Sequence, residues 1–375
     1  MRFCHIREVG PQNMDWVTVR GNIKGCMVQA GSPKLLSVRN NAMLTVTRTP
    51  LRISLFGGGT DYPEYFERAP GAVVGAAIDK YIIIAALDLI GCQDYNYRLS
   101  YSRVEHCNNI SEIEHPVVRE VLKHFNVIRR LDMSIISDLP AAGSGLGSSS
   151  AFTVGFLRTI YAILNQKPTK IELSKKAIEV EREILRENVG VQDQLHAAFG
   201  GINRFDFSGS AIRISPVQMS SAAIQQLNAS MVLVHTGIAR RATTTVAAQI
   251  AVTRARAIDK ELSELYRLVE ECVSLLEAGT SGWLAQLGEM LSASWRIKRT
   301  LSREVSNAVL DDLFEAIIGS GAYGAKLCGA GGGGFFLALI DPDRLSALIE
   351  RVAPLSVVPI GIDVDGSTLI YRQTR

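Results

Sequence analysis

No two of the six cysteines, Cys4, Cys26, Cys92, Cys107, Cys272 and Cys328, stand at CxxC spacing. None combines with histidine at the spacing of a zinc site, and at this length and density a disulfide framework is not expected. They read as reduced thiols of a cytoplasmic protein. No apolar run is long enough to span a bilayer. The first residues carry Arg2, His5, Arg7 and Glu8 and lack the continuous apolar core of a secretory signal. An excess of one charge is missing too. Lys and Arg number 40 against 37 Asp and Glu, a net +3, which argues against nucleic acid or an anionic membrane as partner.

What is present is a chain of 375 residues, too long for one ordinary core, so two domains are expected. Hydrophobic residues make up 47% and charged residues 21%, the balance of a well-packed globular protein. Residues 1–43 show weak periodicity and read as an extension. Strand-like alternation begins at Leu44 and runs to Leu55. Residues 72–78 and 81–87 read as paired strands, and 97–101 and 131–137 as two more. Helices are expected over 148–165 and 169–186, the second opened by Thr169 with Glu172 three residues on, a capping-box pattern. A short helix over 192–199 and strands near 202–207 and 211–214 close the first half. After a boundary near 210–228, the expected order is a strand over 231–235 and helices over 241–277, 281–297 and 303–319. Strands over 325–328 and 335–340, a helix over 341–352 and two last strands near 356–361 and 367–371 follow. Both halves are α+β.

Four segments carry chemistry. The first is Pro140-Ala141-Ala142-Gly143-Ser144-Gly145-Leu146-Gly147-Ser148-Ser149-Ser150, between a strand and a helix. Glycines let backbone approach a ligand, and N–H groups at a helix start favour anions. No Lys follows the last glycine, so this is not a P-loop. The setting and acidic residue of a dinucleotide fold are also missing. The second is the run Gly329-Ala330-Gly331-Gly332-Gly333-Gly334 between two apolar strands. By itself it is a glycine-rich hairpin; beside the first loop it suits backbone lying against a ligand or another loop. The third is Arg52-Ile53-Ser54-Leu55-Phe56-Gly57-Gly58-Gly59-Thr60-Asp61. Arg52 interrupts an apolar strand and needs a partner if buried, while Asp61 also reads as a helix cap. The fourth spans Glu181 to Gln194. Its charged first half reads as a solvated helix face. Asp193 differs: it follows a glycine turn and precedes a small, apolar run, where a carboxylate can accept a hydroxyl proton.

In this order the four segments resemble the GHMP kinase superfamily over roughly residues 44–372. Galactokinases carry Gly-Glu-His-Thr-Asp-Tyr where this chain has Gly57-Gly58-Gly59-Thr60-Asp61-Tyr62. The segments 48–61, 190–194 and 236–240 are most similar to the D-glycero-D-manno-heptose 7-phosphate 1-kinases, and fucokinases share part of the pattern. The resemblance implies an N-terminal ATP-binding α+β domain with a left-handed crossover (44–220) and a ferredoxin-like C-terminal domain (221–375). It implies an ATP-dependent, cytoplasmic sugar kinase acting on an anomeric hydroxyl, with Mg²⁺ as cofactor and a sugar or sugar phosphate as partner, and it leaves room for a homodimer. The competing readings are a fucokinase- or galactokinase-like kinase of a free sugar, a diphosphomevalonate-type decarboxylase or isoprenoid-alcohol kinase, and a non-catalytic sugar sensor.

Site roles follow from the same resemblance. Asp193 falls at the catalytic aspartate and Arg52 at the basic residue beside the transferred phosphate. Glu181 and Ser149 fall at the metal site. Pro140, Gly143, Ser144, Gly145, Leu146, Gly147, Ser148 and Ser149 form the nucleotide loop. Gly58, Gly59, Thr60, Asp61, Gly331 and Gly332 are expected against the sugar. Arg240 and Arg241 are expected near its distal phosphate, since a cation pair at a helix start runs against the helix dipole.

Overall fold

The computed structural model describes residues 42–140, 143–238, 242–302 and 304–374. Residues 1–41 and the pair Arg240 and Arg241 lie outside them. The first strand, β1 (Ala42–Phe56), buries Leu51, Ile53, Leu55 and Phe56 completely or nearly so. A glycine turn leads to α1 (Pro63–Phe66) and then to β2 (Gly71–Asp88). The two strands expected over 72–78 and 81–87 are in fact this single strand. Pro50 pairs with Tyr81 and the next residue, Leu51, with Ile78, so Asp79 and Lys80 bulge out. A two-residue type I′ hairpin there would need positive φ at both positions, and Lys80 does not supply it readily. The strand's first half pairs with β6 (Ile202–Ser208) and its second half with β5 (Leu131–Ser137).

Between them lie β3 (Tyr97–Ser100), β4 (Val104–Cys107) and α2 (Pro116–His124), which carries the chain over to β5, parallel to β3. Next come α3 (Ser148–Ile163) and α4 (Lys170–Glu179). The capping box at Thr169 and Glu172 is formed as the sequence indicates. The helix expected to reach residue 186 changes at Val180 into a π-helical turn through Ile184, a local widening that re-aims one side chain. Then follow α5 (Gln192–Phe199), β7 (Ala211–Pro216), α6 (Ser221–Ser230, capped by Ser220) and β8 (Met231–His235). The long helix expected over 241–277 is two, α7 (Ala242–Arg254) and α8 (Asp259–Ala278), broken where Arg256 takes φ +57. The remaining elements are α9 (Trp283–Thr300), α10 (Ala308–Gly319), β9 (Gly324–Leu327), β10 (Phe335–Leu339), α11 (Leu345–Val352), β11 (Val357–Pro359) and β12 (Thr368–Thr374).

The strands form two sheets. One runs β12-β1-β2-β5-β3-β4, with β6 and β7 continuing from β2; the other runs β11-β8-β10-β9. The second sheet packs Val234, Phe336 and Leu327 against Trp295, Phe314, Ile317 and Leu348 from the helices. Each such large side chain contributes about 1.5–3 kcal/mol by leaving water. The last strand does not stay with this sheet. It returns to pair with β1, tied by a 2.8 Å hydroxyl contact between Thr49 and Ser367.

Candidate active site

Arg52 is 5% exposed, and the partner its burial demands is Asp193. The guanidinium donates through Nε to Oδ1 and through one terminal nitrogen to Oδ2, each at 2.7 Å. Its other terminal nitrogen donates to the carbonyl of Gly145 at 2.7 Å. The Arg52 backbone N–H donates to the carbonyl of Leu146 at 3.0 Å. One residue thus ties β1, the first glycine loop and the start of α5 together. Burial works against its charge, but the Asp193 carboxylate outweighs burial and holds the guanidinium above its ordinary value.

The loop alternates conformations. Gly143, Gly145 and Gly147 take φ of +71°, +74° and +71°, a region where L-residues are strained. Leu146 between them is fully buried in the core. Gly147 caps α3, whose first N–H groups face the cleft without a side-chain cap, the arrangement that receives phosphate oxygens. The second glycine run lies against this loop. A Cβ on Gly145 would fall 2.6 Å from the Cys328 carbonyl oxygen, one on Gly329 2.5 Å from the Gly145 Cα, and one on Gly334 2.5 Å from the Ser144 carbonyl oxygen. Backbone meets backbone, which only glycine permits.

Across the cleft, Asp61 accepts from the N–H of Gly59 at 2.9 Å. Burial raises its pKa, against that backbone bond. Gly190 presses on it so closely that a Cβ there would lie 2.0 Å from Oδ2. The Val191 N–H donates to the Asp61 carbonyl at 3.1 Å. The turn before α5 is thereby docked on the turn after β1, and Asp193 faces Asp61 over a cleft of about 290 Å³.

Glu181 sits in the π turn, completely buried. Ser150 Oγ donates to its Oε2 at 2.8 Å, and Gln194 donates to the same oxygen. Its Oε1 has no hydrogen-bond partner. Burial pushes the carboxyl up to about 7. The serine that touches Glu181 is therefore Ser150, while Ser149 is exposed on the cleft wall.

Of the residues singled out from the sequence, Arg52, Gly58, Gly59, Asp61, Asp193 and the loop residues Gly143, Ser144, Gly145, Gly147, Ser148 and Ser149 line the cleft. Others stand apart from it. Pro140 is exposed outside the wall, and Leu146 is in the core. Thr60 is buried in its own turn, donating to the Gly57 and Ala72 carbonyls. Gly331 and Gly332 lean on Val305, whose carbonyl accepts from the Gly332 N–H at 2.9 Å; Gly329 and Ala330 form the wall instead. Lys298, Lys326, Gln192 and Gln249 also line the cleft, and sequence reasoning passed over all four. Lys326 carries the signal that identified Arg52, a cation inside an apolar strand.

His196, three residues beyond Asp193, is fully buried against Phe205, and neither ring nitrogen has a hydrogen-bond partner. Burial, with Arg52 nearby, draws its pKa down to about 3. A histidine at its ordinary value in the unfolded chain binds a proton that the folded chain refuses, so stability is lost as pH falls below about 6.5. At pH 5 the expected loss is about 2 kcal/mol relative to pH 7.5. Urea unfolding of the wild type and His196→Leu at both pH values checks this; an equal acid loss in both would clear the histidine.

Two family profiles match the chain, the GHMP kinases N terminal domain over residues 109–201 and the GHMP kinases C terminal region over 273–354. A D-glycero-alpha-D-manno-heptose 7-phosphate kinase from Campylobacter jejuni is 32% identical over 319 residues, covering 82% of this chain and 92% of that protein. A galactokinase from Pyrococcus furiosus is 27% identical, covering 81% and 91%. The crystal structure of a D-glycero-D-manno-heptose 1-phosphate kinase from Bacteroides thetaiotaomicron superposes with a TM-score of 0.71 at 22% identity, over 87% of this chain and 99% of that one.

Proposed function

The chain belongs to the GHMP kinase family, and from that premise we propose that it transfers the γ-phosphoryl group of ATP to the anomeric hydroxyl of a heptose 7-phosphate or a closely related sugar. The observation that carries this reading is the two-pronged Arg52–Asp193 pair at the mouth of the glycine loop. Phosphoryl transfer needs positioning and charge neutralisation more than covalent chemistry. Asp193, a quarter exposed to the cleft, orients the acceptor hydroxyl and takes its proton. Arg52 fixes the carboxylate's direction and offers positive charge to the transferring group. The N–H groups from Gly143 to Ser149 hold the β- and γ-phosphates. Asp61, with Gly58 and Gly59, faces the sugar.

Glu181 and Ser149 are the residues that would hold Mg²⁺. The fit is in the donor set: Glu181 brings a buried carboxylate, held at Oε2 by Ser150 and Gln194, under the first turn of α3, and Ser149 beside Ser150 brings a hydroxyl exposed on the cleft wall. Held there, Mg²⁺ would supply neutralisation of phosphate charge. We assign residues 44–220 to the nucleotide-binding half and 221–375 to the C-terminal half, β12 returning to the first, and place the enzyme in the cytoplasm. Among the described residues no helix is long and apolar enough to cross a membrane.

The test is ADP release, coupled to a reporter, over heptose 7-phosphate, the free heptose, fucose, galactose, mannose and mevalonate. Heptose 7-phosphate is expected to give the highest kcat/KM. A higher value with fucose or galactose would overturn the acceptor, and sugar binding without ADP release from any of the panel would favour a sensor.

A further inference from the structure

Gly145 and Gly329 belong to different glycine loops, and their backbones touch. A Cβ on Gly329 would lie 2.5 Å from the Gly145 Cα and 3.0 Å from its carbonyl oxygen. Each of these two glycines gives its carbonyl to a cation. Arg52 donates to the Gly145 carbonyl at 2.7 Å, and the Lys298 ammonium donates to the Gly329 carbonyl. The cations come from distant parts of the chain, β1 and the last turn of α9, and both line the cleft. Contact between the loops therefore brings them to one stretch of wall. Asp193 stands there too, since a Cβ on Gly147 would lie 3.1 Å from Arg52 Cγ and 3.2 Å from Asp193 Oδ2.

The cations of the cleft differ in what they have left to give. Arg52 engages Asp193 and Gly145 through all three of its nitrogens. Lys326, 5% exposed, donates to the carbonyls of Ser54 at 2.9 Å and Leu55 at 2.6 Å, a structural task at the end of β1. Lys298 is half-buried and spends its one hydrogen bond on a neutral acceptor, while an ammonium carries three donors. Among the described residues it forms no ion pair. A cation so placed is unfavourable until an anion completes it. That anion must reach the junction of the two loops, beside Arg52 and Asp193. In the proposed reaction the group that passes there is the γ-phosphoryl, between the nucleotide loop and the acceptor hydroxyl.

We infer that Lys298 is a further catalytic residue, donating to an oxygen of the transferring γ-phosphoryl group as a second cation beside Arg52. The inference rests on the ATP-dependent kinase reading proposed above and is independent of which sugar accepts. During transfer the bond from the γ-phosphorus to the bridging oxygen breaks and its electron pair leaves with ADP. The acceptor oxygen bonds to phosphorus, and its proton passes to Asp193. Lys298 keeps its proton and meets the charge on the oxygens that do not change partners.

Calorimetry with Mg²⁺ present compares ADP with AMP-PNP, which carries the third phosphate, on wild type, Lys298→Met and Lys298→Arg. Turnover is followed alongside with the best sugar of the panel above. In Lys298→Met, AMP-PNP affinity should fall by about 10-fold and kcat by roughly 10²- to 10³-fold, the range of a lost charge-assisted donor to the reacting group, while ADP affinity stays within about threefold. Lys298→Arg should recover part of both losses. Should Lys298→Met fail to fold, Lys298→Gln carries the same expectation. Equal losses for ADP and AMP-PNP overturn the inference, because a lysine that only holds Gly329 in place serves both nucleotides alike. An unchanged kcat overturns it too, as does a loss confined to the KM of the sugar, which would give the lysine to the acceptor. Each of these results leaves the kinase reading standing. A wild type that releases no ADP with any sugar of the panel overturns that reading and this inference with it.

Discussion

Asp193→Asn is expected to lower kcat by about 10²- to 10⁴-fold, the range of a lost general base, with ATP still bound. Asparagine keeps the shape and one acceptor oxygen, so Arg52 retains a bond through Nε. The second prong turns unfavourable, because an amide N–H₂ then faces a guanidinium donor. Removing the carboxylate also leaves a nearly buried cation short of its counter-charge. Breaking a buried pair costs about 3–5 kcal/mol, and solvent at Asp193, 25% exposed, reduces that figure. Turnover should therefore be measured well below the variant's melting temperature, with ATP affinity determined by calorimetry. Near-wild-type kcat would remove Asp193 from the chemistry. A fall in ATP affinity as large as the fall in kcat would mean that Arg52 had released the loop through Gly145.

Gly145→Ala should be the most damaging small substitution in the loop. At φ +74° an alanine is strained by about 1 kcal/mol. The larger effect is contact, since the new methyl group would sit 2.6 Å from the Cys328 carbonyl oxygen and 2.8 Å from its carbon. Neither atom can yield freely, because the Cys328 N–H is paired with the Phe335 carbonyl at 2.9 Å in the second sheet. The two glycine loops must separate, with a loss of about 3–5 kcal/mol in stability and a marked rise in the KM for ATP. Gly209→Ala is the matched comparison. Its φ is +54°, but nothing lies within 4 Å of the added carbon, so about 1 kcal/mol is expected. Equal shifts in urea midpoint for the two variants would disprove the loop-to-loop contact as the source.

The parts of this site that sequence reasoning reached share a physical trait: each is a local contradiction. A cation in an apolar strand at Arg52, a glycine run where a helix should start and a carboxylate after a glycine turn all need an explanation within a few residues. The capping box at Thr169 was legible for the same reason. What escaped depends on rotation and on distant packing. Ser149 and Ser150 are neighbours in sequence, but a helix turns about 100° between them, and Ser150 is the one that turns toward Glu181. The π turn that buries Glu181 leaves no mark in a charged stretch that otherwise reads as a solvated face. Lys298 was hidden because basic residues near a helix end suit the dipole. The amphipathic pattern of α2, with Val117, Val118, Val121 and Leu122 buried, was present but went unread.

The return of β12 to β1 has a consequence for the timing of assembly. Thr49 and Ser367 are 318 residues apart in the chain, yet they touch, one on β1 and the other just ahead of β12. During synthesis on the ribosome, the strand that carries Arg52 waits with one edge unpaired until residues 368–374 have emerged. Closure over so long a span is slow because entropy must be lost before the contact rewards it. An open β edge is also a template for pairing with other chains. A nascent or truncated chain that lacks residues 368–374 should therefore be a substrate for chaperones, and the first glycine loop, anchored to β1 through Arg52, should be among the last parts of the enzyme to become rigid.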